Sequence, residues 1–190
     1  MLYRLTAAVW VLCVTSVAPL PAATLEKLSI EQMTQKATLI VRGRVSTCSG
    51  EAQGSMIYTR CQVQVIESWK GSAPALVSFS VPGGTYQGLV QTFTGTPRIN
   101  VSQEYVLFLW TGKSGRTQVI GLSQGVFDIV TGTSSSSSVA PTPHVLRAAS
   151  GERMLDNSGR AVRDSAIDMS VTELRDRVKG ALTPSGSATE

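Results

Sequence analysis

Histidine is almost missing from this sequence: His144 is the only one in 190 residues. It sits in Pro141-Thr142-Pro143-His144, a proline-flanked stretch that reads as solvated linker. A catalytic base needs a rigid surround that keeps it within hydrogen-bond reach of its proton. Ser-His-Asp and Cys-His schemes are therefore not expected. Charge is scarce as well. Asp, Glu, Lys and Arg make up 16% of the chain, against about 25% in ordinary domains, which excludes a charged disordered protein or a coiled coil. The formal net charge of +4 carries no polyanion-binding signal by itself. Aromatic residues are 6% of the total. Outside the first 23 residues they all lie between Tyr58 and Phe127, so the C-terminal third cannot build a core of its own.

What is present begins with a leader. Arg4 supplies a positive start, Ala7 to Val14 is an apolar run, and Pro19 and Pro21 precede small residues at Ala22 and Ala23. Residues 1–23 read as a secretory signal, because the apolar run is shorter than the roughly 20 residues needed to span a bilayer. Cys13 follows Trp10-Val11-Leu12, not small residues, so it does not read as a lipid-attachment site. The expected location is secreted or periplasmic, with no membrane anchor after cleavage.

Export changes the meaning of the remaining cysteines. Cys48 and Cys61 form an even pair in an oxidising compartment, with Gly50 and Gly54 marking turn chemistry between them. A disulfide that staples a hairpin is expected, contributing about 3 kcal/mol by loop entropy. No Cys-x-x-Cys is present, which leaves little support for a redox or metal pair. No cofactor is expected.

Periodicity then divides the chain. Residues 25–36 place Leu25, Leu28 and Met33 near helical spacing. Strands are expected over 37–47, with a bulge at Gly43, and over 56–69, 75–81, 104–110, 117–121 and 125–130. Residues 104–110 (EYVLFLW) are apolar on both faces and should be covered on both. The Gly-, Thr- and Gln-rich stretch 85–100 reads as a long loop with at most one weak strand. Residues 133–169 read as a Ser/Pro-rich linker and irregular segment. Ser170-Val171-Thr172-Glu173 has the form of a capping box, so a helix is expected over 170–182, ending at Gly180 and docking through Leu174 and Val178. Strands at this spacing indicate a sandwich or small barrel, here as one domain over 24–132.

Three stretches carry a more specific likeness. Ala37-Thr38-Leu39-Ile40-Val41-Arg42-Gly43-Arg44-Val45, Val65-Ile66-Glu67-Ser68-Trp69-Lys70-Gly71 and Ser102-Gln103-Glu104-Tyr105-Val106-Leu107-Phe108-Leu109 resemble, in order, strands of the netrin-like module of tissue inhibitors of metalloproteases. The same order occurs in bacterial secreted proteins of unassigned function, with a Gly-Gly turn such as Gly83-Gly84 between. The resemblance implies a mainly β fold: an OB-fold-like Greek-key barrel of five to six strands, flanked by a short N-terminal helix and a C-terminal helix. The inhibitors chelate zinc through an N-terminal Cys-x-Cys. The expected mature start here, Thr24-Leu25-Glu26, has no cysteine, so no inhibitory residue carries over.

Glu67 and Glu104 lie beside strand ends and could be weighed as a glycosidase-like pair, although isolated solvated carboxylates are the commoner case. Pro82-Gly83-Gly84-Thr85 lacks the following helix that a phosphate loop requires. Asn100-Val101-Ser102 matches the glycosylation sequon. OB barrels bind oligosaccharides and nucleic acids on one strand face. On such a face Arg42, Arg44 and Arg60, with Tyr86 and Phe93, would supply anion contacts and stacking, and Arg98 lies nearby if the long loop folds back. The expected role is therefore non-catalytic binding of an extracellular protein or polysaccharide, with nucleic acid disfavoured by export. The alternatives are an envelope structural or accessory protein without a discrete ligand, and a hydrolase whose carboxylates the sequence does not place.

Overall fold

The computed structural model describes residues 24–131 and 142–183. The expected leader and the serine tract lie outside them. In chain order the elements are β1 (Thr24–Glu26), α1 (Ile30–Lys36), β2 (Leu39–Gln53), β3 (Met56–Lys70), β4 (Leu76–Pro82), β5 (Gly84–Tyr86), β6 (Leu89–Gln91), β7 (Glu104–Thr111) and β8 (Thr117–Val119). After a 3-10 turn at Leu122–Gly125 come β9 (Val126–Thr131), β10 (Pro143–Arg147), β11 (Arg153–Leu155), β12 (Ala161–Val162), β13 (Ile167–Ser170) and α2 (Val171–Leu182).

The fold is mainly β. Its large sheet runs β13-β10-β9-β7-β2-β3-β4-β8, and β8 also pairs with β7. β2 and β3 form a hairpin of 15-residue strands that reverses at Gly54, whose φ of 59° suits glycine. The register shifts between Arg42 and Gly43, at the expected bulge. A Cβ on Gly43 would stand 2.4 Å from the Gln64 carbonyl oxygen, so the two strands approach too closely there for any side chain. Cys48 and Cys61 are directly opposed across this hairpin and joined by a disulfide, with Cα atoms 4.1 Å apart.

Strand β7 explains how the core divides. Tyr105, Leu107 and Leu109 point into one cluster with Val41, Val63, Phe79 and Val119. Val106 and Phe108 point into the other, with Ile40, Phe127, Ile129 and Val145. Both faces of the EYVLFLW run are therefore covered from Tyr105 to Leu109, as its unbroken hydrophobicity predicts, while Trp110 at its end is exposed. The second cluster is roofed by the two helices. Ile30 and Met33 come from α1, and Val171, Leu174 and Val178 from α2, all buried. Leu174 and Val178 are the two residues expected to dock the C-terminal helix. Burying such a side chain stabilises the fold by about 1.5–3 kcal/mol.

Several elements differ from expectation. Helix α1 starts at Ile30, not near Leu25, because Ser29 caps it. Ser29 Oγ accepts the Gln32 N–H at 3.1 Å, and Gln32 Oε1 accepts the Ser29 N–H at 2.8 Å. Residues 24–26 instead pair in parallel with β11. They are tied down by buried Gln124, whose Oε1 accepts the Leu28 N–H at 2.8 Å and whose Nε2 donates to the Glu26 carbonyl at 2.9 Å. At the other end, Ser170 Oγ accepts the Glu173 N–H at 3.0 Å, but the reciprocal arm from Glu173 does not form. Ser170 is also the last ladder residue of β13. Gly180 lies inside α2, which runs on to Leu182 and is capped at Thr183.

The stretch read as linker and irregular chain is more ordered than expected within 142–169. It contributes β10 and β13, which extend the sheet beyond β9, and β11 and β12, which pair beside β1. Its strands add no core of their own; Val145 joins the cluster already begun by Phe127 and Ile129. The expected long loop contains a tight hairpin, β5–β6, turning at Gln87 (φ 48°) and Gly88 (φ 79°). Positive φ at both turn residues is the geometry that joins two short twisted strands most closely.

Candidate ligand-binding site

The five residues proposed from sequence fall in four places. Arg42 and Arg44 lie together on β2, but both face carboxylates. Arg42 Nε donates to Glu104 Oε1 at 2.6 Å and its NH1 to Glu67 Oε1 at 3.4 Å. Arg44 NH2 stands 3.6 Å from Glu104 Oε2. Glu67 also accepts from Trp69 Nε1 at 2.8 Å and from Arg175 NH1 at 3.3 Å. The Trp69 hydrogen bond, helped by the Arg175 and Arg42 charges, holds the Glu67 carboxyl below the usual range despite partial burial. Glu67 and Glu104 thus serve as ion-pair partners that join β2, β3, β7 and α2.

Arg60 stands apart from that network. It pairs with Ser49, seven residues along β2 from Arg42, or roughly 23 Å at ~3.3 Å per residue. Here the ends of β2 and β3, the middle of β4 and the turn before β8 enclose a cleft of about 300 Å³. Glu51, Arg60, Ser78, Ser80, Arg116 and Thr117 are among the residues lining it. Arg60 NH1 lies 3.7 Å from Glu51 Oε2, too far for a hydrogen bond. Glu51 Oε1 is 3.5 Å from the hydroxyl of buried Ser80. The Arg116 guanidinium lies 3.7 Å above the centre of the Tyr58 ring. Stacking of this kind fixes the guanidinium plane while leaving its edge N–H groups free to donate.

Two cations against one carboxylate leave the cleft net positive. Its hydroxyls add donors and acceptors that suit an oxyanion. The cross-strand pairs Arg60↔Ser80 and Gln62↔Ser78 set this arrangement, because alternation along β3 and β4 places these residues side by side.

Phe93 lines a second cleft, of about 450 Å³, bounded by β4, the β5–β6 hairpin and residues 92–100. Apart from exposed Arg98, its lining is apolar, hydroxyl, amide or glycine. The hairpin lies flat across β2 and β3. A Cβ on Gly50 would meet the Thr85 carbonyl oxygen at 1.8 Å, and Thr59 Oγ1 donates to the Gly83 carbonyl at 2.8 Å. Ile57 N–H donates to Gln91 Oε1 at 2.7 Å. Leu89 and Val90 remain 67% and 72% exposed, the two most exposed large apolar side chains among the described residues. Tyr86, on β5, accepts from Gln87 Nε2 at 3.3 Å and does not line this cleft.

His144 lies on β10, exposed, with Nδ1 3.1 Å from Asp168 Oδ1. Burial pushes the Asp128 carboxyl up, but it lies on β9, opposite Tyr105 on β7, and lines neither cleft. Among the described residues no group of three His, Cys, Asp or Glu side chains is placed to hold a metal ion. Arg116 was not singled out from sequence. Its signal was the turn Lys113-Ser114-Gly115-Arg116 directly after the most apolar strand, which throws a cation back over the sheet. Comparison of the chain with protein-family models, with curated proteins and with solved structures finds no match.

Proposed function

We propose that this chain is an exported, non-catalytic binding module on an OB-type, netrin-like barrel, and that Arg60 and Arg116 receive an anionic group of an extracellular polymer or protein. The pairing order supports the barrel reading. From β7 the ladders pass through β2, β3 and β4 to β8, and β8 returns to β7. The β4–β8 contact is parallel and the others are antiparallel. OB-type barrels take ligands on the face of their second and third strands, between the loops after the first and fourth. Those elements correspond here to β3, β4, the Gly54 turn and the Gly112–Arg116 turn. The arginine cleft lies among them, and this is the observation that carries the proposal.

Export is supported by the leader and by the Cys48–Cys61 bridge. Among the described residues no helix is long and apolar enough to cross a membrane. Engagement of Glu67 and Glu104 by arginines argues against a proton-transfer role for either.

The test is calorimetric titration of the oxidised protein with sodium polygalacturonate and with poly-glutamate. Each lost charge-assisted hydrogen bond is worth about 1.5–3 kcal/mol. Arg60→Ala and Arg116→Ala should therefore each weaken binding of the preferred probe by about 10-fold or more. Arg44→Ala, on the ion-pair network, should leave it unchanged. Equal affinity across all four proteins, or no saturable binding to either probe, would favour a structural accessory without a discrete ligand.

A further inference from the structure

Trp110 ends the apolar run of β7 at 40% exposure, the one aromatic among the exposed large apolar side chains of the described residues. Its surroundings follow from the ladder. Trp110 is directly opposite Gln118 on β8, and the Gly112 N–H donates to the Arg116 carbonyl at 2.9 Å, which carries the pairing one step further. Alternation then puts Trp110, Gly112, Gln118 and Arg116 on one face of the sheet. Phe108 and Ile120, two residues before Trp110 and two after Gln118, point the same way, into the helix-roofed cluster. Arg116 is thus the diagonal neighbour of Trp110, about 7–8 Å away and within reach of long and aromatic side chains. A Cβ on Gly112 would stand 3.2 Å from Cζ3 of the indole and 3.3 Å from Cη2. The six-membered ring therefore lies over the turn backbone, at the level of Arg116, with no side chain beneath it.

We infer that Trp110 is the stacking platform of the arginine cleft and that the ligand is an acidic polysaccharide, with a sugar ring on the indole beside a uronate carboxylate on Arg116 and Arg60. The inference rests on the reading of the arginine cleft given above and chooses between polymer and protein as its ligand. Three observations select a sugar. The indole sets a flat apolar surface next to a guanidinium. A uronate ring has an apolar C–H face with a carboxylate at its edge and meets both groups at once, whereas an acidic peptide brings carboxylates on flexible stems and no ring. Next, Thr111 to Gln118 carries Lys113 and Arg116 and no carboxylate, so the surround of the platform has the sign that attracts a polyanion. Finally, the polar groups nearest to it are an amide and a hydroxyl, Gln118 opposite the indole and Ser114 in the cleft lining. Both types donate as well as accept, which matches sugar hydroxyls.

The experiment is titration of the oxidised full-length mature protein with hexagalacturonate, followed by calorimetry and by tryptophan emission. Beyond the leader the chain has two tryptophans, and Trp69 is buried with its Nε1 bonded to Glu67, so an emission change on binding reports Trp110. Emission should change saturably along the same isotherm as the heat. Trp110→Ala should weaken binding at least about 10-fold, and Trp110→Phe should keep most of the affinity because a phenyl ring still stacks. Methyl esterification of the uronates, which keeps the rings and removes the charge, should cost as much as Arg116→Ala. Poly-glutamate should bind more weakly, and Trp110→Ala should leave that binding unchanged. Unaltered hexagalacturonate affinity in Trp110→Ala overturns the inference, and so does poly-glutamate binding as tight as that of the uronate. In either case dependence on Arg60 and Arg116 keeps the arginine cleft as the site. If no probe depends on these two arginines, both readings fall together.

Discussion

Arg147 on β10 and Asp164 in the loop before β13 form the most deeply buried ion pair among the described residues, with side chains 6% and 1% exposed. Arg147 NH1 and NH2 donate to the two carboxylate oxygens at 2.8 and 2.9 Å, and NH2 donates again to the Ser165 carbonyl. The Ser150 N–H adds a further bond to Asp164 at 2.9 Å. Arg147→Met keeps most of the packing volume but strands a buried carboxylate. Removing one partner of such a pair costs about 3–5 kcal/mol. At roughly 2–4 °C per kcal/mol for a domain of this size, the melting temperature should fall by about 6–20 °C.

The pH dependence sharpens that test. Burial raises the proton affinity of Asp164, but the Arg147 hydrogen bonds, the Ser150 and Ser165 N–H groups and the guanidinium charge outweigh it, so the carboxyl sits below its usual range. A folded-state pKa below the unfolded value of about 3.9 contributes stability above that pH and loses it as pH falls through the folded value. In Arg147→Met the burial is largely unopposed and the folded-state pKa rises above the unfolded one. The protonated, folded form is then favoured in acid, and that contribution fades as pH rises through the raised value. The penalty of the variant should therefore shrink between pH 7 and pH 4 in urea titrations. Arg147→Met/Asp164→Leu should recover most of the loss at pH 7. A single-variant penalty below 1 kcal/mol, or one that grows on acidification, would refute the reasoning.

Three further outcomes follow from the same geometry. Replacing both Cys48 and Cys61 by Ala opens a link across a sequence separation of 13 and should cost about 3 kcal/mol, read as a lowered urea midpoint. Leu174→Ala empties a fully buried position under α2 and should cost about 2–5 kcal/mol, so a midpoint change below 1 kcal/mol would show that the helix is not docked. Gly50→Ala places a methyl group where the Thr85 carbonyl oxygen now lies. Hydrogen exchange should then speed up at 84–91 and stay unchanged in β7, whereas uniform protection would mean the hairpin does not rest on β2.

The parts of the fold legible in the sequence are those governed by local pattern. Alternation on β2 and β3, the two-sided run on β7, the Gly43 bulge, the Cys48–Cys61 pairing and the docking face of α2 all follow from spacing and residue type. Signals that only partners reveal were missed. Ala161 and Val162 form a strand because Met154 and Leu155 lie beside them, and no stretch of two residues has a period of its own. His144 is a strand residue because β9 and β13 flank it, even though two prolines precede it. The site was legible by residue type but not by neighbourhood. Arg42, Arg44 and Arg60 look alike on alternating strands. Only the return of β7 brings Glu104 to the first two, and only the turn before β8 brings Arg116 toward the third.

The shortness of β8, which pairs with β4 only at Ser80↔Gln118, is a consequence of how the N-terminus is held. β7 divides its second edge, with Tyr105 to Leu107 pairing to β9 and Leu109 to Thr111 pairing to β8. β8 can then be only as long as the upper half of β7 allows before the chain turns back toward β9. That turn is fixed by Gly121 and Leu122, both at positive φ, and it closes with the Gly125 N–H donating to the Ile120 carbonyl at 3.0 Å. It also presents Gln124, buried and bonded to the Leu28 N–H and the Glu26 carbonyl, both just ahead of α1. Extending β8 by two residues would pair more of β4, but it would carry Gln124 away from two backbone groups that lie in a part-buried setting without another partner. Leaving such groups unsatisfied costs about 1–3 kcal/mol each, whereas an additional backbone hydrogen bond returns about 0.5–1.5 kcal/mol net. The balance favours a short β8, which meets β4 at the single bridge Ser80↔Gln118.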